Sequence, residues 1–220
     1  MKRLQIVVNE DIKLVVVGDG AVGKTSLLVT YTTNTFPQEH TPTIFNSHTV
    51  NVVVDDNKFK LNLWDVAGDG APSSSSERLR PLSYAETDVF LFCFSIDSPS
   101  SLESLQKKWH SEVTELYPNA PFIIVGLKKD LRNSQERKSI STKRWTDQSN
   151  KNVVSYTKGA TMAAKLGAAM YLECSALNKG EGLKELFDAA VKVANDAIQA
   201  KRKKNKDYTS GSAGMCCTII

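Results

Sequence analysis

Gly18-Asp19-Gly20-Ala21-Val22-Gly23-Lys24-Thr25 has the residue types and the spacing of a phosphate-binding loop: a glycine, four residues, then Gly-Lys-Thr. The apolar run Leu14-Val15-Val16-Val17 precedes it and Ser26-Leu27-Leu28 follows, so a buried strand feeds a glycine-rich turn and then a helix. Such a turn aims successive backbone N–H groups, together with the positive end of the helix, at a di- or triphosphate. The glycines let the backbone approach the phosphates without a Cβ in the way. Lys24 is placed to neutralise β- and γ-oxygens, and the Thr25 hydroxyl can ligate Mg²⁺. A chance match to four fixed positions is the competing reading; the strand before and the helix after weigh against it.

The elements that must position this loop read as an α/β domain. Continuous apolar runs at 14–17, 89–94 and 122–125 are those of strands buried on both faces, as in a parallel sheet. Residues 50–54, the turn Asp55-Asp56-Asn57 and the alternating Phe59, Leu61 and Leu63 predict a hairpin, hence one antiparallel edge strand. Residues 180–200 place Leu183, Leu186, Phe187, Ala190, Val191, Ala194, Ala197 and Ile198 on one stripe of a final amphipathic helix. No internal repeat or interdomain linker interrupts the chain. The serine run 73–76, the polar stretch 132–152 and the C-terminal tail are its irregular places.

The 220 residues suit one domain with a tail. The formal net charge is +4, and residues 201–220 hold five of the 28 Lys/Arg and one of the 24 acids, which leaves equal numbers of each sign on residues 1–200. A neutral body argues against a nucleic-acid groove; a basic tail suits an acidic surface. No apolar stretch has the length of a membrane span and the N-terminus lacks the apolar core of a signal peptide, so the expected compartment is the cytosol. Cys93 and Cys174 fall in apolar runs and read as core residues, and His40, His48 and His110 show no metal-ligand spacing, which argues against zinc.

Further segments fall in order behind the phosphate loop: Phe36-Pro37-Gln38-Glu39-His40-Thr41-Pro42-Thr43-Ile44-Phe45, Leu63-Trp64-Asp65-Val66-Ala67-Gly68, Arg78-Leu79-Arg80-Pro81-Leu82-Ser83-Tyr84, Thr87-Asp88-Val89-Phe90-Leu91, Leu127-Lys128-Lys129-Asp130 and Leu172-Glu173-Cys174-Ser175-Ala176-Leu177. Each is weakly specific alone; in this order and spacing, over residues 13–220, the chain resembles the small GTPases of the Ras superfamily, most closely the Rho/Rac family. The resemblance implies a P-loop G domain over 11–200, with a mostly parallel sheet, one antiparallel edge strand and helices on both faces. It also implies an N-terminal extension over 1–10, a Rho-type insert near 132–153 and a polybasic tail over 201–220. It implies GTP/GDP and Mg²⁺ as ligands, held by Gly18, Asp19, Gly20, Ala21, Val22, Gly23, Lys24, Thr25, Ser26, Phe36, Thr43, Asp65, Gly68, Lys128, Asp130, Ser175, Ala176 and Leu177. Thr25 and Thr43 would ligate the metal directly and Asp65 through water, while Lys24, Thr43 and Gly68 would meet the γ-phosphate.

Chemistry supports the base-reading assignment. A fixed carboxylate at Asp130 can accept from guanine N1–H and N2–H₂, a donor pair that adenine lacks. The stem of Lys128 can cover the base, Phe36 can pack near it, and the Ser175 and Ala176 N–H groups can reach O6. The other reading of Asp130 is a helix N-cap before Leu131. Trp64 matches a tryptophan typical of Rac and Rho members that influences exchange-factor choice; an edge-strand aromatic explains it equally well.

The chain also departs from the family pattern. Leu127 stands where Asn or Thr usually braces the phosphate loop, which predicts lowered nucleotide affinity. Asp69 takes the place of the glutamine that orients the attacking water, in a loop about four residues longer than usual, and no Gln occurs between Gln38 and Gln106. An anionic side chain near a γ-phosphate repels charge, so slow hydrolysis is expected. His40, Asn46 and His48 replace Tyr, Asp and Tyr in switch one, two of them effector positions, so the familiar effectors do not carry over. The stretch 133–152 is either a partner surface or a solvated excursion.

Cys217-Thr218-Ile219-Ile220 is a C-terminal C-a-a-X box, and 201–206 is a polybasic run before it. One lipid holds marginally; a prenyl chain plus basic residues makes a stable anchor on anionic membrane. By family analogy Ile220 favours geranylgeranyl, with trimming and methylation to follow, and Cys216 is a candidate for palmitoylation. The expected site is the cytosolic face of the plasma membrane. The resemblance implies exchange factors, activating proteins, a guanine-nucleotide dissociation inhibitor and effectors acting on actin or polarity as partners of a monomeric G domain. Two other readings stay open: a GTP-loaded module that hardly hydrolyses and is controlled by level or location, and an ATP-dependent phosphotransferase, which Asp130 and Ser175-Ala176 disfavour.

Overall fold

The computed structural model describes residues 10–38, 45–68, 80–132, 153–178 and 180–211, with side chains in the last helix described through Lys204. The chain runs β1 (Glu10–Val17), α1 (Lys24–Thr33), β2 (Phe45–Val54), β3 (Asn57–Val66), β4 (Val89–Ser95), α2 (Pro99–Ser104), a wider π turn (Leu105–Trp109), α3 (His110–Leu116), β5 (Phe122–Leu127), α4 (Tyr156–Leu166), β6 (Met170–Glu173) and α5 (Leu183–Gly211). The six strands lie in the order β2-β3-β1-β4-β5-β6, parallel except for β2, which pairs antiparallel with β3.

Strand period and helix placement explain two cores instead of one. Along β1, Leu14 and Val16 join the core under α1 and α5, while Val15 and Val17 join the core under α2, α3 and α4. The same alternation divides Val89, Leu91 and Cys93 from Phe90, Phe92 and Phe94 in β4, and Ile123 and Val125 from Phe122 and Ile124 in β5. Successive side chains point to opposite faces, so a strand covered on both sides is apolar at every position. Cys93 and Cys174 are buried thiols, and burial pushes the Cys174 pKa up to about 12, so both are inert core residues. The hairpin is longer than the alternation suggests, pairing Phe45–Val54 with Asn57–Val66. Its two-residue turn has φ of 49° at Asp55 and 63° at Asp56, as a twist-matched hairpin turn requires.

The last helix does not stop at 200. It continues through the basic run to Gly211, because Lys and Arg are good helix formers and no proline or glycine intervenes. Arg202 pairs with Glu10 at the start of β1, and Lys192 with Asp55 in the hairpin turn, which tie α5 across the sheet edge. No described helix is long and apolar enough to cross a membrane.

Helix α4 approaches β6 closely at Gly159, where a Cβ would lie 2.2 Å from Cζ and 2.3 Å from Oη of Tyr171. That ring is held by stacking on Phe94 and by a hydroxyl bond to Glu173. Gly159→Ala gains up to about 1 kcal/mol of helix propensity but costs about 1–3 kcal/mol in overpacking against a fixed ring. Thermal unfolding should therefore shift down, by about 2–4 °C for each kcal/mol by which the overpacking exceeds the propensity gain; a raised Tm would show that the glycine does not set the helix-to-strand spacing.

Candidate nucleotide site

The phosphate loop leaves β1, whose neighbours β3 and β4 are reached by chain running in opposite directions, so the loop opens at the point of the sheet where α/β folds bind ligands. Backbone contact shapes it. A Cβ on Gly18, at φ 146°, would fall 2.1 Å from the Cys93 carbonyl oxygen, and one on Gly68 would fall 2.5 Å from the Gly20 nitrogen. Glycine at both positions lets the loop sit between the ends of β4 and β3. Gly23, at φ 111°, caps α1. Val22 packs into the core, leaving Asp19, Gly20 and Ala21 on the loop's outer rim.

Lys24 is 7% exposed and its ammonium donates to the Gly18 carbonyl at 2.7 Å and to the Asp19 carbonyl at 2.8 Å. The loop thus wraps its own lysine. Burial lowers the Lys24 pKa, with the Asp65 carboxylate opposing that shift. Thr25 opens α1 and its Oγ1 donates to Asp65 Oδ2 at 2.7 Å, although the residues are 40 apart in sequence. Asp65 reaches this point because β3 pairs with β1 in a register that sets it opposite Val16, just before the loop. A hydroxyl and a carboxylate side by side are hard oxygen donors of the kind Mg²⁺ takes, and their place beside the Lys24 ammonium fits a metal that also meets a phosphate. The residues present fit the ion: Thr25 and Asp65 would hold it, and it would offset phosphate charge.

The second half of the site lies at the ends of β5 and β6. Leu127 is buried, and its Cδ1, with Lys128 Cε, faces the position where a Gly23 Cβ would stand, at 3.7 and 4.0 Å. Lys128 has φ 61°, and its ammonium lies 3.9 Å from Asp97. Asp130 Oδ1 accepts a hydrogen bond from Ser175 Oγ, which itself accepts from Asn178 N–H at 3.1 Å. The two loops also share a backbone bond, Lys129 N–H to the Cys174 carbonyl at 3.1 Å. The structure therefore brings Asp130, Lys128, Ser175 and Ala176 to one edge, next to the phosphate loop. Leu177 is exposed there, and Phe36 is half-exposed in the turn after α1. Thr43, Asp69, Cys216 and Cys217 lie outside the described residues.

Sequence reasoning missed two partners of these loops. Trp109 is fully buried and its Nε1–H donates to Asp19 Oδ1 at 2.7 Å, while the Arg80 guanidinium stacks on the indole at 4.6 Å and pairs with Glu112 at 3.0 Å. The available signal was chemical: a tryptophan between Leu105 and Val113 at core spacing still needs an acceptor for its N–H when buried. The other is Arg132, bound through two nitrogens to Glu173. Trp64 is half-buried on β3 with the Lys13 ammonium 3.9 Å over its ring.

A family model described as Ras family matches residues 13–196, which takes in the phosphate loop, Asp65, both base-side loops and all six strands except the first residues of β1. This chain belongs to the Ras family of small GTPases, and accordingly binds GTP and GDP with Mg²⁺ and acts as a GTP-binding molecular switch.

Proposed function

We propose that this switch is a Rho/Rac-like one, slow to hydrolyse GTP and lipid-anchored at the cytosolic face of the plasma membrane, signalling to actin or polarity effectors. The observation that carries the nucleotide chemistry is the convergence of a wrapped Lys24, the Thr25–Asp65 contact and the Ser175–Asp130 bond along one edge of the sheet. In this reading Asp130, oriented by Ser175, accepts from guanine N1–H and N2–H₂, and Lys128 covers the base. Thr43 and Gly68 meet the γ-phosphate, so that loss of that phosphate releases both switch segments. Ras-family proteins generally work with exchange factors, activating proteins and effectors. The Rho/Rac assignment is supported by Trp64, by the polar stretch near 132–153 and by the C-a-a-X tail. A dissociation inhibitor that shields the prenyl chain belongs to the same reading.

Asp69, in the position of the water-orienting glutamine, favours slow turnover and brings a second reading with it: a mainly GTP-loaded binding module controlled by its level or location. Single-turnover hydrolysis with Mg²⁺ should be at least about tenfold slower than that of Asp69→Gln, a barrier difference of about 1.4 kcal/mol or more. Weak stimulation by a Rho-family activating protein is also expected. A rate matching that of the Gln variant together with strong stimulation would show that another residue places the water.

Lipid anchoring rests on Cys217 and on the basic run, whose residues 201–204 stand exposed along the extended α5. At about 1 kcal/mol per basic residue near an anionic leaflet, prenylated protein should sediment with phosphatidylserine vesicles and be released by salt. Cys217→Ser should stay in the supernatant. Binding indifferent to both lipid charge and salt would remove the basic run from the anchor.

A further inference from the structure

Two chain segments form the base side of the site, and they are 41 residues apart where they are tied most firmly. The Arg132 guanidinium meets Glu173 through Nη1 to Oε2 and Nη2 to Oε1, the latter at 2.9 Å, and Nη2 also donates to the Val154 carbonyl. The Glu173 side chain is 4% exposed and that of Arg132 20%, so solvent screens this pair poorly. Glu173 Oε1 also accepts from the Tyr171 hydroxyl, which is itself confined against Gly126 and Gly159. The contact raises the Arg132 pKa, its hydrogen bond to Glu173 being the largest cause.

The pair's place in the chain gives it a consequence for the base. Arg132 closes a turn in which Leu131 N–H bonds the Lys128 carbonyl at 3.0 Å and Arg132 N–H the Lys129 carbonyl at 3.1 Å, with Asp130 inside it. Glu173 ends β6, two residues before Ser175. Asp130 and Ser175 thus lie each two residues from one end of the same fork. The Ser175–Asp130 bond and Lys129 N–H to the Cys174 carbonyl, at 3.1 Å, join the same two segments, but each is a single bond, whereas the fork fixes both distance and plane. Lys129–Glu181, at 3.0 Å, has side chains 34% and 40% exposed and is therefore screened.

We propose that Arg132 is a positioning residue for guanine: its bidentate pair with Glu173 sets the distance between the Asp130 carboxylate and the Ser175-Ala176 backbone, and so governs how well the guanine 2-amino group is read. This rests on the reading of Asp130 as the base acceptor. A carboxylate that takes two donors at hydrogen-bond length tolerates little displacement, and the outer donor, N2–H₂, is lost first when the loop shifts.

The experiment measures dissociation of GDP and of IDP, which keeps N1–H and O6 but lacks the 2-amino group, from the full-length protein with Mg²⁺. Wild type should release IDP faster than GDP. Arg132→Met should speed GDP release more than IDP release, reducing the IDP/GDP rate ratio by about tenfold, the worth of a hydrogen bond to a charged acceptor. Arg132→Lys, which keeps the charge and loses the fork, should fall between them and serves if the Met variant does not fold. Asp130→Ala measured alongside separates the two ideas. If it collapses the ratio while both Arg132 variants keep the wild-type value, the clamp is wrong and the base reading stands. If Asp130→Ala itself leaves the ratio unchanged, both fall. Equal acceleration of GDP and IDP by the Arg132 variants would assign the pair a purely structural role and overturn the proposal.

Discussion

The site depends on keeping one ammonium group charged where water barely reaches it. Removing a lysine head group from water is costly unless polar partners replace the lost hydration. Here the partners are two carbonyls of the loop that carries the lysine, with the Asp65 carboxylate nearby. The arrangement requires the loop to curl back over residue 24, which in turn requires backbone to lie against backbone at Gly18 and at Gly68. The sheet order follows the same need. Only with β3 and β4 on either side of β1 do Asp65, Cys93 and the loop meet.

Around that centre the remaining work is divided between apolar and polar ties. The phosphate loop is held at its rim by the Trp109 indole, which is delivered by the π turn Leu105–Trp109 and stacked under Arg80. π turns inside helices commonly mark such functional placements. On the base side, Leu127 stands where the resemblance to small GTPases implies a hydrogen-bonding Asn or Thr, and its side chain faces Gly23 of the phosphate loop with apolar atoms only. Orientation of the base loop falls instead to Ser175, to the shared backbone bond and to the Arg132–Glu173 fork. An apolar contact has no directional preference, whereas a bidentate pair fixes both distance and plane.

Much of this was legible in the sequence because the physics is local. Strands covered on both faces must be apolar at consecutive positions, which made β1, β4 and β5 readable, and Asp55-Asp56 between alternating residues announced the hairpin. The phosphate loop is a contiguous motif whose glycines have steric reasons. Trp109–Asp19 and Arg132–Glu173 were not legible, since a pair 90 or 41 residues apart leaves no periodic trace and depends on strand register. The four-residue β6 is too short for a period, and the apolar stripe that marks α5 ends at Ile198 although the helix runs on to Gly211, since charge does not stop a helix. Thr43 and Asp69 are assigned through resemblance, and Cys217 through the C-terminal C-a-a-X motif.

The central claim is that a phosphate loop wrapped on Lys24 and a carboxylate held by Ser175 together make a site selective for guanine nucleotides. Displacement of a fluorescent GDP from the full-length protein, with Mg²⁺, tests it most directly when unlabelled GTP and ATP are titrated side by side. A site built to hydrogen-bond one base rejects an analogue that leaves its acceptor unpaired by orders of magnitude, so ATP should need roughly 10³-fold or more higher concentration than GTP. Displacement by ATP at the same concentration as GTP would contradict the account.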